Sequence, residues 1–585
     1  MPDASFSATT LAEQLDPLFH AALSRQMGSL SRAGLLQAGG DWAMHLAASP
    51  GKCLDLVRLA LHQNTEMLRY AQACMARGLA PQVQGQGPDA VPAPVQDRRF
   101  ADPLWQQWPY NVMSQSFLLT EKWWDAATHG VWGVEKHHED VVAFVARQFL
   151  DVFSPGNQLP TNPVVLQRTL EQGGTNLLRG ASNALQDYQR QAANEPPAGT
   201  EAFVVGRDVG VTPGKVVLKN RLMELIQYTP TTTTVHPEPI LLVPAWIMKY
   251  YILDLSPHNS LIRYLVEQGH TVFCISWINP TAADRDLGMD DYLADGFHAA
   301  LDAVNAIVPG QPVHATGYCL GGTLLAIAAA AMARDGDDRL ASLTMLAAQT
   351  DFTEPGELAL FIDEAQLSLL EAQMQQAGYL RADQMAGAFQ MLRSYDLLWS
   401  RMVNEYLLGD RAPLNDLMAW NADATRMPAK MHSQYLRRLF LNDDLSEGRY
   451  PVGGSPVHLG SLRAPIFMVG TVTDHVAPWR SVFKLHPLSP AEITFVLTSG
   501  GHNAGIVNPP GNPRRHFQQL TRAANGHSIA PEEWLRSAPE TQGSWWPAWQ
   551  QWLAAHSSAP AQPPRMGAAK YPPLADAPGD YVLVK

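Results

Sequence analysis

The stretch VHATGYCLGGTLLAIAAAAM, residues 313–332, constrains the fold more than any other part of the chain. It reads as a short apolar strand, a turn with a glycine two positions either side of Cys319, and a helix of small and aliphatic residues. This is the Gly-x-Ser-x-Gly nucleophile elbow with sulfur in place of the hydroxyl oxygen. The turn is so sharp that only glycine fits the flanking positions, and the residue at its apex is held strained above the sheet. The following helix begins there, and its free N–H groups and partial positive charge favour a thiolate. A buried structural cysteine fits so short a motif equally well. The strand before it and the helix after it select the elbow.

From about residue 201 onward the composition supports the sheet that such a turn requires. Short aliphatic runs at Lys215–Leu218, Leu222–Tyr228, Ile240–Val243, Thr271–Ser276 and Leu343–Ala347 alternate with helical stretches such as SLIRYLVEQG and Asp291–Ile307. Strands alternating with helices mean crossover connections and a mostly parallel sheet covered on both faces. The alternation stops at about 352–444, and this long helical interruption is expected to form a cap over the site. Strand character returns at Pro465–Gly470 and Ile493–Thr498, and past Ala554 an Ala/Pro-rich sequence suggests an exposed tail. Residues 1–200 form a helical N-terminal domain with a Pro/Gly/Gln linker at about 80–96, leaving 201–585 as the catalytic domain. That first domain is rich in aromatics, among them Trp105, Trp108, Trp123, Trp124 and Trp132, which are expected mainly as core filler. Its His137-His138 pair has no third ligand at useful spacing and reads as a solvated helix start.

The 42 basic and 55 acidic residues leave a net charge of −13, which argues against a nucleic-acid partner. The four cysteines, Cys53, Cys74, Cys274 and Cys319, are too scattered for a disulfide framework or a metal site, and suit a reducing cytoplasm. No signal peptide is read at the N-terminus, and no uncharged apolar run reaches the roughly 18 residues that span a bilayer. A soluble protein is therefore expected.

A nucleophile needs a base, and the base needs an orienting acid. After an elbow of this kind they follow in the order acid, then histidine, on loops beyond later strands. The strand IFMVG leads into Thr471-Val472-Thr473-Asp474-His475, and ITFVL leads into Thr498-Ser499-Gly500-Gly501-His502. Asp474 and His502 are thus the expected partners of Cys319. His475 is the nearest competitor for the base, but it sits directly beside the acid that would have to orient it. The oxyanion formed on attack needs two backbone donors, expected at Leu320 and at Ala245 or Trp246 beyond the Ile240–Val243 strand. Thiolate attack on an oxygen ester is uphill, whereas exchange with another thioester is nearly balanced. Sulfur at the elbow therefore suits an acyl-thioester donor.

With these residues in place, the sequence resembles the poly(3-hydroxyalkanoate) synthases, most closely the class I type that takes short-chain 3-hydroxyacyl-CoA. The resemblance rests on KYYILDLSPHNSLIRYLVEQGHTVF, GYCLGGT, AWNADATRMP, TDHVAPW, SGGHNAGIVNPP and GSWWPAWQQWL, and runs from about residue 100 onward. At Pro244-Ala245-Trp246 the chain departs from many relatives, which carry Pro-Pro-Cys there. The resemblance implies an α/β-hydrolase-like fold, with Cys319 carrying the growing polyester, His502 as base and Asp474 behind it. It further implies a 3-hydroxyacyl-CoA substrate, released CoA, no cofactor or metal, a homodimer, and a cytoplasmic place on polyester granules beside phasin-type proteins. Two alternatives are a thioesterase or depolymerase of the same fold and a non-catalytic granule-surface protein.

Overall fold

The computed structural model describes residues 31–78, 93–392 and 398–585. Residues 1–30 of the expected helical domain, and all but the end of the expected linker at 80–96, lie outside the described residues. The chain divides into two compact units. One comprises Gly199–Ala386 with Leu414–Lys585, and the other comprises the described residues before Gly199 with Gly387–Pro413.

The helical unit contains α1 (Arg32–Ala47), α2 (Pro50–Gly78), α3 (Tyr110–Thr128), α4 (Lys136–Val152), α5 (Pro163–Glu171) and α6 (Thr175–Ala192). Two of its helices start at side-chain caps that the sequence supplies: the Ser31 hydroxyl accepts from the Gly34 N–H, and the Asn162 side chain accepts from Val164 and Val165, with Pro163 in the first turn. The aromatics divide. Trp105 is buried edge-on against Phe100 at 4.7 Å, but Trp132 is 89% exposed. The His137-His138 pair does lie at a helix start, and His138 is only part-exposed there, its Nδ1 lying 2.8 Å from Asp41 Oδ2. Residues 402–407 of the expected cap also belong here. Asn176 and Asn183 of α6 donate to the Leu407 and Glu405 carbonyls at 2.8 and 2.9 Å, and a Cβ on Gly180 would lie 1.8 Å from the Tyr406 oxygen. Small and amide side chains on α6 thus capture the middle of the cap sequence.

In the other unit, the described residues form an eleven-stranded sheet from β1 (Gly214–Lys219), β2 (Met223–Tyr228), β3 (His236–Val243), β4 (His270–Trp277), β5 (Val313–Tyr318), β6 (Leu340–Leu346), β7 (Ile466–Thr471), β8 (Ile493–Thr498), β9 (His516–Arg522), β10 (Glu540–Gln542) and β11 (Ala575–Asp576). The spatial order is β10-β9-β8-β7-β6-β5-β3-β4-β2-β1-β11. The strands from β4 to β8 in that order are mutually parallel, while β2, β1, β11, β9 and β10 flank them antiparallel. Alternate residues of the central strands feed two separate cores: Leu241, Val243, Phe273 and Ile275 on one face, and Ile240, Leu242, Val272 and Cys274 on the other. Both faces being covered explains why these strands are continuous apolar runs. α7 (Leu261–Glu267), α8 (Ala299–Ile307) and α9 (Leu320–Asp335) are crossover helices, and α9 is buried from Leu320 to Met332.

The Ala/Pro-rich end of the chain is not the free tail that its composition suggests. It runs as a strap that adds β11 to β1 and anchors Val582 in the interior. The buried Lys249 ammonium, on the segment after β3, donates to the backbone oxygens of Val582 and Val584. Burial lowers the Lys249 pKa to about 8, against the opposing pull of Asp423.

Several histidines are buried in this unit without a charged partner strong enough to keep them protonated. Burial lowers His270, at the start of β4, to about 3, and His314, His432 and His486 to about 4. Each therefore binds its proton more readily in the unfolded chain, so stability falls as pH drops below the ordinary histidine value of about 6.5. The expected result is a denaturation midpoint that declines from pH 7 to pH 5, each of these groups costing on the order of 1–2 kcal/mol by pH 5. Replacing His270 by a neutral isostere such as Asn should flatten that slope; equilibrium unfolding by guanidinium at several pH values measures it.

Candidate active site

β5 ends at Tyr318, and Cys319 turns the chain into α9 with φ of 53° and ψ of −124°. That is a strained conformation for a residue with a Cβ, held because the neighbouring backbone leaves no other path. Three glycines make the approach possible. A Cβ on Gly317 would lie 2.3 Å from Gly322 Cα, one on Gly321 would lie 2.0 Å from the Val243 oxygen, and one on Gly322 would lie 2.4 Å from Ala348 Cβ. The elbow is therefore pressed against the end of β3, the segment that continues into Ala245 and Trp246. Both of these residues are buried. The Trp246 ring sits 5.8 Å from Tyr292 and 6.2 Å from Tyr435, and its buried indole N–H has no hydrogen-bond partner. Leu320 opens α9, so its N–H has no acceptor within the helix.

Asp474 lies beyond β7 and His502 beyond β8, as their positions after those strands require. His502 Nδ1 donates to Asp474 Oδ2 at 2.8 Å. The carboxylate is otherwise saturated: Oδ2 accepts from Thr471 Oγ1 at 3.0 Å, and Oδ1 accepts from the Val476 and Ala477 N–H groups at 2.9 and 2.8 Å. Burial raises the Asp474 pKa, but the charge and hydrogen bond of His502 and the two backbone donors outweigh it and hold the carboxyl below its usual range. For His502, burial opposes protonation, yet the Asp474 charge, followed by Cys319 through charge and hydrogen bonding, holds the imidazole well above its ordinary value. His502 and Asp474 thus form one hydrogen-bonded pair, with Asp474 committed to His502 rather than to the adjacent His475, and the Cys319 sulfur acts on the same imidazole. Cys319 is part-buried, and the imidazole on which its sulfur acts is held ready to carry a proton.

Two supports of the site go beyond what the motifs reveal. His502 begins the short helix α10 (His502–Ile506), whose Gly505 and Ile506 carbonyls accept from the Trp545 and Trp546 indoles at 3.0 and 2.9 Å. The GSWWPAWQQWL sequence is therefore a brace for the histidine segment, and its closely spaced tryptophans were the available signal. On the other side, Tyr435, in the helical interruption between β6 and β7, is close enough to feel Cys319: burial first, and the sulfur second, keep its phenol well above its usual pKa.

Among the described residues, no group of three or more His, Cys, Asp or Glu is arranged to hold a metal ion, and no helix is long and apolar enough to cross a membrane.

Comparison with known proteins agrees with this architecture. Residues 238–509 match the alpha/beta hydrolase fold family, residues 96–265 match the family described as poly-beta-hydroxybutyrate polymerase (PhaC) N-terminus, and residues 10–52 match poly-beta-hydroxybutyrate polymerase N terminal. The chain is 43% identical over 500 residues to the poly(3-hydroxyalkanoate) polymerase of Methylorubrum extorquens, covering 85% of this chain and 82% of that one. It is 39% identical to the poly(3-hydroxyalkanoate) polymerase subunit PhaC of Rhizobium meliloti, covering 85% and 82%. Identity to the corresponding subunit of Cupriavidus necator is 37%, covering 86% of each chain.

Proposed function

The chain belongs to the poly(3-hydroxyalkanoate) polymerase family, and from that premise we propose that it joins (R)-3-hydroxyacyl units, chiefly 3-hydroxybutyryl, through a thioester on Cys319. It is an acyltransferase that makes polyester from CoA thioesters. The observation that carries the finer reading is the strained elbow cysteine together with a histidine bonded at 2.8 Å to a saturated carboxylate.

In the first step, His502 takes the thiol proton and the Cys319 sulfur attacks the acyl carbonyl of the CoA thioester. The resulting oxyanion is stabilised by the Leu320 N–H and a second donor from Ala245 or Trp246. Its collapse breaks the bond to CoA, which leaves with the proton held by His502. In elongation, His502 removes the proton of a 3-hydroxyl group, whose oxygen attacks the thioester on Cys319, forming the ester and returning the sulfur. Asp474 keeps Nε2 of His502 turned to these protons and stabilises the cation. No cofactor enters the cycle, because both steps are acyl exchanges. The same reading places the enzyme in the cytoplasm as a homodimer on polyester granules with phasin-type proteins.

Incubation with 3-hydroxybutyryl-CoA tests the proposal. Released CoA with insoluble polyester supports it. Released CoA with only free acid would make the protein a hydrolase, and no release would make it a scaffold. Asp474→Asn should lower kcat about tenfold or more while leaving CoA-thioester binding near normal, since an amide cannot accept from Thr471, His502 and two backbone N–H groups at once. Full activity in that variant would remove Asp474 from its orienting role.

A further inference from the structure

The residue immediately before the nucleophile is tied to the residue immediately after the base. The Tyr318 hydroxyl, at the end of β5, donates to Asn503 Oδ1 at 2.5 Å. The buried Tyr318 ring lies 5.8 Å from the His502 imidazole, inclined at 32°. Asp474 holds His502 by its Nδ1, and the Trp545 and Trp546 indoles brace the far end of α10, but neither ties the imidazole to the strand that carries Cys319. Asn503 sits on α10 beside His502, so a bond from Tyr318 to Asn503 supplies that tie by pinning α10 to the elbow itself.

We propose that Tyr318 and Asn503 are positioning residues that set the register between the thiol of Cys319 and the imidazole of His502, independently of Asp474. The inference rests on the nucleophile and base assigned above. The tie also persists across the working pH range. Burial first, then the neighbouring Cys319 and Asp474 charges, hold the Tyr318 phenol well above its usual pKa, so it remains a donor. The groups facing the imidazole are Asp474, Cys319 and the Tyr318 ring.

Tyr318→Phe removes only the hydroxyl. Steady-state kinetics with 3-hydroxybutyryl-CoA, and the pH dependence of Cys319 alkylation by iodoacetamide, read its effect, with Cys319→Ala as the control for other thiols. The expected result is a fall in kcat of about tenfold with KM changed less than about twofold, and a similar fall in alkylation rate at neutral pH. Asn503→Leu should do the same, and the double variant should be no worse than either single change. Wild-type kcat and alkylation in Tyr318→Phe, even with lowered thermal stability, would overturn the proposal, as would fully additive losses in the double variant. If Tyr318→Phe does not fold, Asn503→Leu decides on the same readouts. Retained CoA release in Cys319→Ala would instead defeat the nucleophile assignment, and this inference with it.

Discussion

Cys319→Ala will abolish CoA release from 3-hydroxybutyryl-CoA, with a loss of at least about a thousandfold. The neighbouring groups are poor substitutes for the sulfur: Cys274 is fully buried within β4, and the Tyr318 hydroxyl beside the elbow is engaged with Asn503 and held well above its usual pKa by burial. The change is also gentle on the fold. Alanine has the same Cβ as cysteine and must adopt the same φ of 53°, so the strain at the turn is neither relieved nor increased. Circular dichroism and thermal melting should therefore match the unsubstituted protein, and the lost activity reports chemistry alone. CoA can be followed with a thiol-reactive dye and polyester by the weight of insoluble product. Residual turnover near the wild-type rate would show that acyl transfer runs through another group.

His502→Gln should give the second largest effect, a loss of about a hundredfold to ten-thousandfold in kcat. Glutamine can still donate to Asp474 and roughly fills the space, so what disappears is the ability to take up and return a proton. Two steps use that proton in each cycle, the ionisation of the thiol and the activation of the 3-hydroxyl group. The burial of the imidazole and its position between Asp474 and Cys319 make external rescue by water inefficient. Both variants can be separated by iodoacetamide. Cys319→Ala removes the reactive thiol, whereas His502→Gln keeps it but slows its alkylation at neutral pH. A His502→Gln protein that elongates normally would place the base elsewhere, with His475 the first residue to try.

The elbow at Cys319 and the pairing of His502 with Asp474 were legible because each residue follows a strand whose apolar run is unmistakable, and because strand order dictates which loops converge. Choosing His502 over His475 also followed from local geometry, since neighbouring side chains on one loop cannot easily face each other. On the flanks of the sheet β1 and β2 were legible as short aliphatic runs, but β9 and β11 were not. β9, HFQQLTR, is amphipathic and short of aliphatics, and β11 is two residues within a proline-rich stretch, so neither carries the signature of a central strand. Tertiary pairing makes them strands. The capture of residues 405–407 by the helical unit depends on Gly180 and on two asparagines of α6, which look unremarkable in sequence and matter only through the carbonyls they meet. Likewise, the tryptophans near the end of the chain revealed their burial but not the helix they brace.

The strap that closes the far edge of the sheet also bears on how the protein is made. β1 pairs through Lys215 and Val216 with Asp576 and Ala575, some 361 residues later, and Lys249 waits for oxygens of similar delay. While the ribosome is still reading the intervening codons, β1 exposes an unpaired strand edge, and the Lys249 ammonium lacks the two carbonyl acceptors it has in the finished fold. The nascent chain therefore passes through a long interval in which it is open to self-association, and the segment leading from β3 toward the elbow acquires its final anchor only when the strap emerges. Slowing translation, or depleting the chaperones that shield emerging chains, should reduce the yield of active enzyme more than it alters the activity of each molecule that folds.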